Sequence, residues 1–345
     1  MGHPTGVQNA MPNDGGRGGK EGRGFVSRRM LGGLLCVVLF GVTVCAVLAG
    51  GRQPRPGEAQ LVYRKDSLYH QIFVYRQGSI VTLRFGKSRF AGRQSELDLG
   101  NLRRHCLEYT ELAYCGLLYK PDPAKILVVG LGGGTIPRDM HHYLPEAEID
   151  VVELDPEILK VAEEYFHFEQ DEKLRVHVAD GRMLVRKLSR EQSETKYDMV
   201  ILDAFNSDYI PFHLMTREFL KEVQGILSDD GVVVANVWYT NRLFDAELKT
   251  FLEVYGRSQV FFGARSGNAL LVALGPDVEV LGEKEAAEAA SELQGEHKFA
   301  FDIREVAKRL RLDARPDPDA KVLTDDLAPV NWLREQERAE QPPSS

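Results

Sequence analysis

From Lys125 to Tyr255 the chain alternates between short apolar runs and segments whose apolar residues recur three or four apart. KILVVGL, EIDVVEL, LRVHVAD, YDMVILDAF and DGVVVANVW read as strands buried on both faces. Helical patterns follow them: the stretch beyond a glycine cluster, then DPEILKVAEEYF, GRMLVRKLS, TREFLKEVQGIL and DAELKTFLEVY. Buried strands alternating with helices predict a mostly parallel, doubly wound α/β sheet. Two last runs, SQVFFGAR and NALLVAL, have no helix between them and predict an antiparallel edge. Upstream, from Leu61 to about Phe90, segments such as HQIFVYRQGSIVTLRF alternate singly, which predicts a short antiparallel meander turning at Gln77-Gly78. Between meander and sheet, Leu102, Cys106, Tyr109, Leu112 and Cys115 fall at helical spacing. They predict a helix over 101–119, stopped by Pro121 and Pro123.

The N-terminus follows another pattern. Residues 1–29 are polar and Gly-rich and read as disordered. Residues 30–51 carry no charge and are long enough to cross a bilayer. One reading is an uncleaved single-pass membrane anchor. The other is a cleaved export signal, with Ala49 before the cut and a twin-arginine-like Ser27-Arg28-Arg29-Met30-Leu31. The length favours the anchor. Basic residues on both sides leave the orientation of the rest of the chain open. Residues 52–60 read as a linker, 61–100 as a small β-domain, 101–335 as the main α/β domain and 336–345 as a loose tail.

A formal charge of −8 and a pI of about 5.7 leave no obviously basic face, which argues against nucleic acid as a partner. Cys36, Cys45, Cys106 and Cys115 form no C-x-x-C pair, which removes zinc ribbons and thioredoxin-like chemistry. His70, His105 and His213 are not spaced as ligands, and no metal is expected.

The chemistry centres on ILVVGLGGGTIPRD, Ile126 to Asp139. Gly130, Gly132 and Gly134 form G-x-G-x-G, with Thr135 where a dinucleotide fingerprint wants its last glycine. Glycine lets backbone turn sharply and lie against a ligand, and the following helix start offers free N–H groups. Alone the motif is weak, because glycine turns after strands often serve only packing. The acids beyond it sharpen the reading. Glu153 ends the second strand, where a carboxylate can accept both hydroxyls of a ribose. Asp180, followed by Gly181, ends the third, where it can meet the exocyclic amine of adenine. Asp203 ends the fourth, in the ligand crevice of open α/β sheets. The set points to an adenosyl-sulfonium ligand with no pyrophosphate to cradle.

From about Ser67 to Ala273 these segments resemble the spermidine synthase (polyamine aminopropyltransferase) family, in particular its bacterial spermidine synthase-like members, some of which are fused to transporters. SLYHQIFV is similar to the family's S-x-Y-Q-x-I-x-V strand and EYTELA to its Y-Q-E-M helix. GLGGGTIPRD stands where the family has G-G-G-D-G-G-x-x-R-E, and VADGRMLV matches V-G-D-G-x-x-F. DAFNSDYIPFHL stands for D-S-S-D-P-x-G-P-A-x-x-L, and LTDDLAPVNWL looks like a C-terminal signature of the transporter-fused subgroup. The resemblance implies a Rossmann-like, S-adenosylmethionine-dependent methyltransferase fold after a small antiparallel β-domain. It implies transfer of an aminopropyl group from decarboxylated S-adenosylmethionine to an amine such as putrescine, without a metal, in a homodimer or a tetramer. It gives Asp203 the role of base with Tyr109 as its hydrogen-bonding partner. Gly130, Gly132, Gly134, Glu153, Asp180 and Gly181 would hold the donor, and His70, Gln71, Asn206 and Asp208 the acceptor.

The departures matter. The family's second loop aspartate is Asn206 here, its strand glutamine is His70 with Gln71 adjacent, and its glycine-loop acid is Gly133. Asp208 is the nearest replacement for the lost loop charge. Loss of ammonium-binding acids keeps two alternatives open. One is a methyltransferase using intact S-adenosylmethionine, whose carboxylate would meet Arg138. The other is a non-catalytic, membrane-tethered nucleoside- or polyamine-binding protein. Trp238 and Tyr239 read as acceptor-pocket floor or as packing, and Asp325 and Asp326 as active-site rim or turn cap.

Overall fold

The computed structural model describes residues 57–86, 92–191, 196–204, 211–241 and 243–326. The expected membrane segment at 30–51, Asn206 and Asp208 lie outside them, as do the expected disordered N-terminus and the tail. Among the described residues no helix is long and apolar enough to cross a membrane.

Alternating side chains make the first four strands, β1 (Gln60–Asp66), β2 (Gln71–Gln77), β3 (Ile80–Phe85) and β4 (Arg93–Asp98). They pair in chain order as an antiparallel sheet. The second sheet has eight strands. In chain order they are β5 (Lys125–Val129), β6 (Glu148–Glu153), β7 (Leu174–Val178), β8 (Tyr197–Leu202), β9 (Leu227–Trp238), β10 (Ser258–Phe262), β11 (Asn268–Leu274) and β12 (Leu310–Arg311). Their spatial order is β12-β10-β11-β9-β8-β5-β6-β7. Pairs from β7 through β9 are parallel, and those from β9 through β11 and β10 to β12 are antiparallel. The helix-free end of the predicted pattern is thus the antiparallel edge.

The helices are α1 (Glu108–Leu112), α2 (Thr135–Tyr143), α3 (Pro156–Tyr165), α4 (Gly181–Arg190), α5 (Arg217–Gln224), α6 (Phe244–Tyr255), α7 (Glu283–His297) and α8 (Ile303–Ala307). Their starts follow from local chemistry. Asp155 accepts the Glu157 N–H at 3.0 Å ahead of Pro156, and Asp180 accepts the Met183 N–H at 2.9 Å.

The helix predicted over 101–119 is shorter. Only Glu108–Leu112 is α-helical, and Ala113–Leu118 tightens to a 3-10 turn. The pattern misled at its start, where neighbouring side chains are tied elsewhere: Arg103 reaches Asp139 of α2 and Arg104 turns back to Asp98 of β4. At the other end Gly116 lies so close to the sheet that a Cβ would meet Val234 at 2.8 Å.

Successive residues of β5 serve opposite faces. Ile126 and Val128 join a core that includes Ile72, Leu83 and Leu97 of the first sheet. Leu127 and Val129 join the other core, with Phe219 of α5 and Phe251 of α6. The small sheet therefore shares its interior with the large one. This packing holds β4 beside the carboxyl end of β5.

One carboxyl in that second layer is buried without an ion pair among the described residues. Glu247 of α6 is 4% exposed, and its Oε2 has no hydrogen-bond partner among the described residues. Burial alone pushes its carboxyl up to about 8. The folded state thus binds this proton more tightly than the unfolded chain, where the pKa is about 4.3. The stability gained is full below that value and is lost as pH rises toward 8. Glu247→Gln is expected to melt several degrees above the parent at about pH 8.5 and close to it at about pH 5. Differential scanning calorimetry at both pH values checks this. An equal offset at both would mean that Glu247 does not titrate in this range.

Candidate active site

The chain leaves β5 toward β6 and β7 on one side, and later lays β8 and β9 on the other. A crevice opens at that reversal, outside the strands' carboxyl ends. Here it is a cleft of about 1320 Å³. Gly130, Gly132, Glu153, Asp180, Gly181 and Asp203 all line it, so the acids predicted from separate strand ends converge. Tyr109, His70 and Trp238 line it too.

The glycine loop is shaped by two demands. Gly130 has φ +101°, and a Cβ there would lie 2.6 Å from the Asp203 carbonyl oxygen. Gly134 has φ +72° and would place a Cβ 2.4 Å from the Phe168 ring. The first glycine brings β5 against β8 at the cleft. The last seats the start of α2 on Phe168 and does not line the cleft. Its glycine is required by packing.

Glu153 is buried beneath the loop. One oxygen accepts the Leu131 N–H at 3.0 Å and the other accepts the Asp155 N–H at 2.9 Å. Burial still outweighs these bonds and raises its carboxyl above the usual range. Each oxygen has a further lone pair, which suits the two hydroxyls of a ribose. The residues present therefore fit an adenosyl donor. Asp180 faces the same cleft while capping α4, and Gly181 presses within 2.8 Å of Val129 at the position of a Cβ.

Asp203 stands at the cleft floor. Its N–H donates to Val129 O at 2.9 Å, and its Oδ1 accepts from Asn236 Nδ2 at 2.8 Å. Desolvation pushes its carboxyl up to about 7, with the Asn236 bond opposing the rise. Tyr109 donates to Gln94 O at 3.0 Å. Burial, then the nearby charge of Asp203, hold its phenol far above the usual tyrosine range, so it stays protonated. Ser95, next on β4, accepts the Gly133 N–H at 2.7 Å. Two adjacent β4 residues thus fix Tyr109 and the glycine loop, which explains the placement of the small sheet.

Other expected residues divide. His70 stacks on Phe85, with ring centroids 4.1 Å apart, and its Nδ1 is 3.2 Å from Asp155. Gln71 is corrected: its side chain is exposed at the start of β2 and does not line the cleft, because successive strand residues face opposite ways. Arg138 is also corrected. It is committed to Asp139, Leu102 O and Phe166 O, and is absent from the cleft wall. Tyr239 packs edge-on against Phe262, whereas Trp238 lines the cleft. Asp325 pairs with Arg182 and accepts from Thr216 at 2.7 Å, strapping α4 to the start of α5, and does not itself line the cleft. Sequence reasoning missed Asn236 and Asn268, which line the cleft, and Glu111, whose carboxyl is raised chiefly by burial.

Residues 106–263 match the spermine/spermidine synthase domain. A polyamine aminopropyltransferase of Vibrio vulnificus is 35% identical over 283 residues, covering 81% of this chain and 93% of that protein. The chain belongs to the spermine/spermidine synthase family. A spermidine synthase solved with the transition-state analogue AdoDATO superposes with a TM-score of 0.60 at 19% identity. It covers 76% of this chain and 95% of that one, a likeness of fold. The human eEF1A lysine and N-terminal methyltransferase is 34% identical over 146 residues, but this spans only 38% of the chain and 21% of that protein. The family's Rossmann-like fold, preceded by four antiparallel strands, is the architecture described above.

Proposed function

We propose that this enzyme moves an aminopropyl group from decarboxylated S-adenosylmethionine to a primary amine of a polyamine-type acceptor such as putrescine. The observation that carries the reading is Asp203. It is a desolvated carboxylate at a strand end, with protonated Tyr109 beside it and the glycine loop packed against its carbonyl.

The acceptor arrives as an alkylammonium with a pKa near 10 and must lose a proton before it attacks. A carboxylate with a pKa of about 7 attracts the cation and is basic enough to take that proton as the new bond forms. The amine nitrogen bonds to the carbon beside the sulfonium while the carbon–sulfur bond breaks, and the electron pair leaves with sulfur as methylthioadenosine. Tyr109, held by Gln94, orients the nitrogen for in-line attack. Glu153 and Asp180 fix the nucleoside end, and Trp238 supports an apolar wall for the acceptor chain.

The test uses the full chain with decarboxylated S-adenosylmethionine and putrescine, read by mass spectrometry for methylthioadenosine and the aminopropylated amine. The expected result is one nucleoside per new amine, with an acid limb in kcat/KM near pH 7. Methylated product from intact S-adenosylmethionine, without aminopropyl transfer, would overturn the reading.

A further inference from the structure

Asn236 lies in β9, within GVVVANVW, whose neighbouring residues Val234, Ala235 and Val237 are fully buried. It is itself 2% exposed. An amide in such a strand is costly unless both its ends are bonded. Here they are: Nδ2 donates to Asp203 Oδ1 at 2.8 Å, and Oδ1 accepts from Asn268 Nδ2 at 2.9 Å. Asn268 opens β11, pairs with Trp238 across the sheet, and lends its carbonyl to the Gly263 N–H at 2.8 Å. The turn between β10 and β11 is therefore joined through two side-chain amides to the proposed base.

We infer that Asn236 and Asn268 form a two-amide relay that positions Asp203, holding one of its oxygens and leaving the other to meet the acceptor amine. The inference rests on Asp203 being the proton acceptor. Direction is built into the chain of bonds. Asn268 donates to the Asn236 carbonyl, so the Asn236 NH2 must face Asp203. The reverse orientation would set a carbonyl oxygen against a carboxylate. Among the described residues, the groups facing Asp203 are Asn236 from β9, Tyr109 from α1 and the Gly130 backbone beyond β5. Tyr109 is a neutral phenol in this range, and no cation among the described residues offsets the burial. Among the described residues, the Asn236 bond is the one side-chain hydrogen bond that favours the charged form.

Removing it must therefore raise the Asp203 pKa further and free the carboxylate to rotate. For Asn236→Ala a rise of about one unit is expected, which leaves about one-fifth as much ionised base at pH 7. The acid limb of kcat/KM for the amine should move up by the same amount, with most of the loss recovered at about pH 9 and the donor KM nearly unchanged. A merely structural amide would lower activity equally at every pH. Asn268→Ala, which leaves the Asn236 bond in place but unaimed, should give a smaller shift of the same sign and serves if Asn236→Ala does not fold. Carboxyl-13C titration, with Asp203→Asn to assign the signal, reads the same midpoint without turnover. An unshifted midpoint in a folded variant overturns the relay. If the parent chain makes no aminopropylated product yet the midpoint shifts, the functional reading fails while the relay stands.

Discussion

Asp203→Asn is expected to lower aminopropyl transfer by about 10²–10⁴-fold at pH 8 while leaving donor affinity within a few-fold of the parent. The substitution keeps the shape of the side chain and its place opposite Asn236. It removes the negative charge that draws in an alkylammonium and the basic oxygen that takes its proton. Burial penalises a charge here, as the carboxyl's rise to about 7 shows, so an amide is tolerated by the fold. Glu153 and Asp180, the residues proposed to hold the donor, line the cleft from other strands, which is why affinity should survive. Single-turnover rates and calorimetric titration with methylthioadenosine separate the two quantities. Loss of binding in step with turnover would place Asp203 with the donor. Undiminished turnover would remove it from the proton path.

Much of this arrangement was legible in the sequence because strands in a parallel sheet end together. Once KILVVGL, EIDVVEL, LRVHVAD and YDMVILDAF are read as neighbouring strands, Glu153, Asp180 and Asp203 must gather at one edge. That inference needs only local periodicity, and the structure brings all three to one cleft. What was not legible depends on close packing between distant segments. Gly134 looks like the other loop glycines, yet its contact is Phe168. Arg138 looks free until Leu102, Asp139 and Phe166 are seen to claim it. Asn236 sits within a valine-rich strand with no pattern around it, and its meaning comes from Asp203 on β8 and Asn268 on β11. The helical spacing over 101–119 was real as a pattern, but the ion pairs of Arg103 with Asp139 and Arg104 with Asp98, and the approach of Gly116 to the sheet, overrode it.

Gly130→Ala is expected to cost about 2–4 kcal/mol of stability and at least about 100-fold in donor affinity. Two penalties coincide. At φ +101° a side chain is strained whatever space surrounds it. The new methyl would also lie 2.6 Å from the Asp203 carbonyl oxygen, 2.9 Å from its carbon and 3.0 Å from Ala204 Cα. All three are backbone atoms, so no side chain can swing aside. Relief requires the ends of β5 and β8 to separate. Those ends are held together by Asp203 N–H to Val129 O at 2.9 Å, while Gly130 N–H to Val152 O at 2.8 Å ties the end of β5 to β6 on its other side. Separation would break the junction where the glycine loop meets Asp203, so binding and turnover should fall together, unlike in Asp203→Asn. Gly295→Ala is the matched control: it lies within α7, nothing approaches the added methyl, and alanine should stabilise that helix by about 0.5–1 kcal/mol. Chemical denaturation and nucleoside titration of both variants decide the matter. If Gly130→Ala bound the nucleoside as the parent does, the close approach of β5 to β8 would be a packing detail with no bearing on the site.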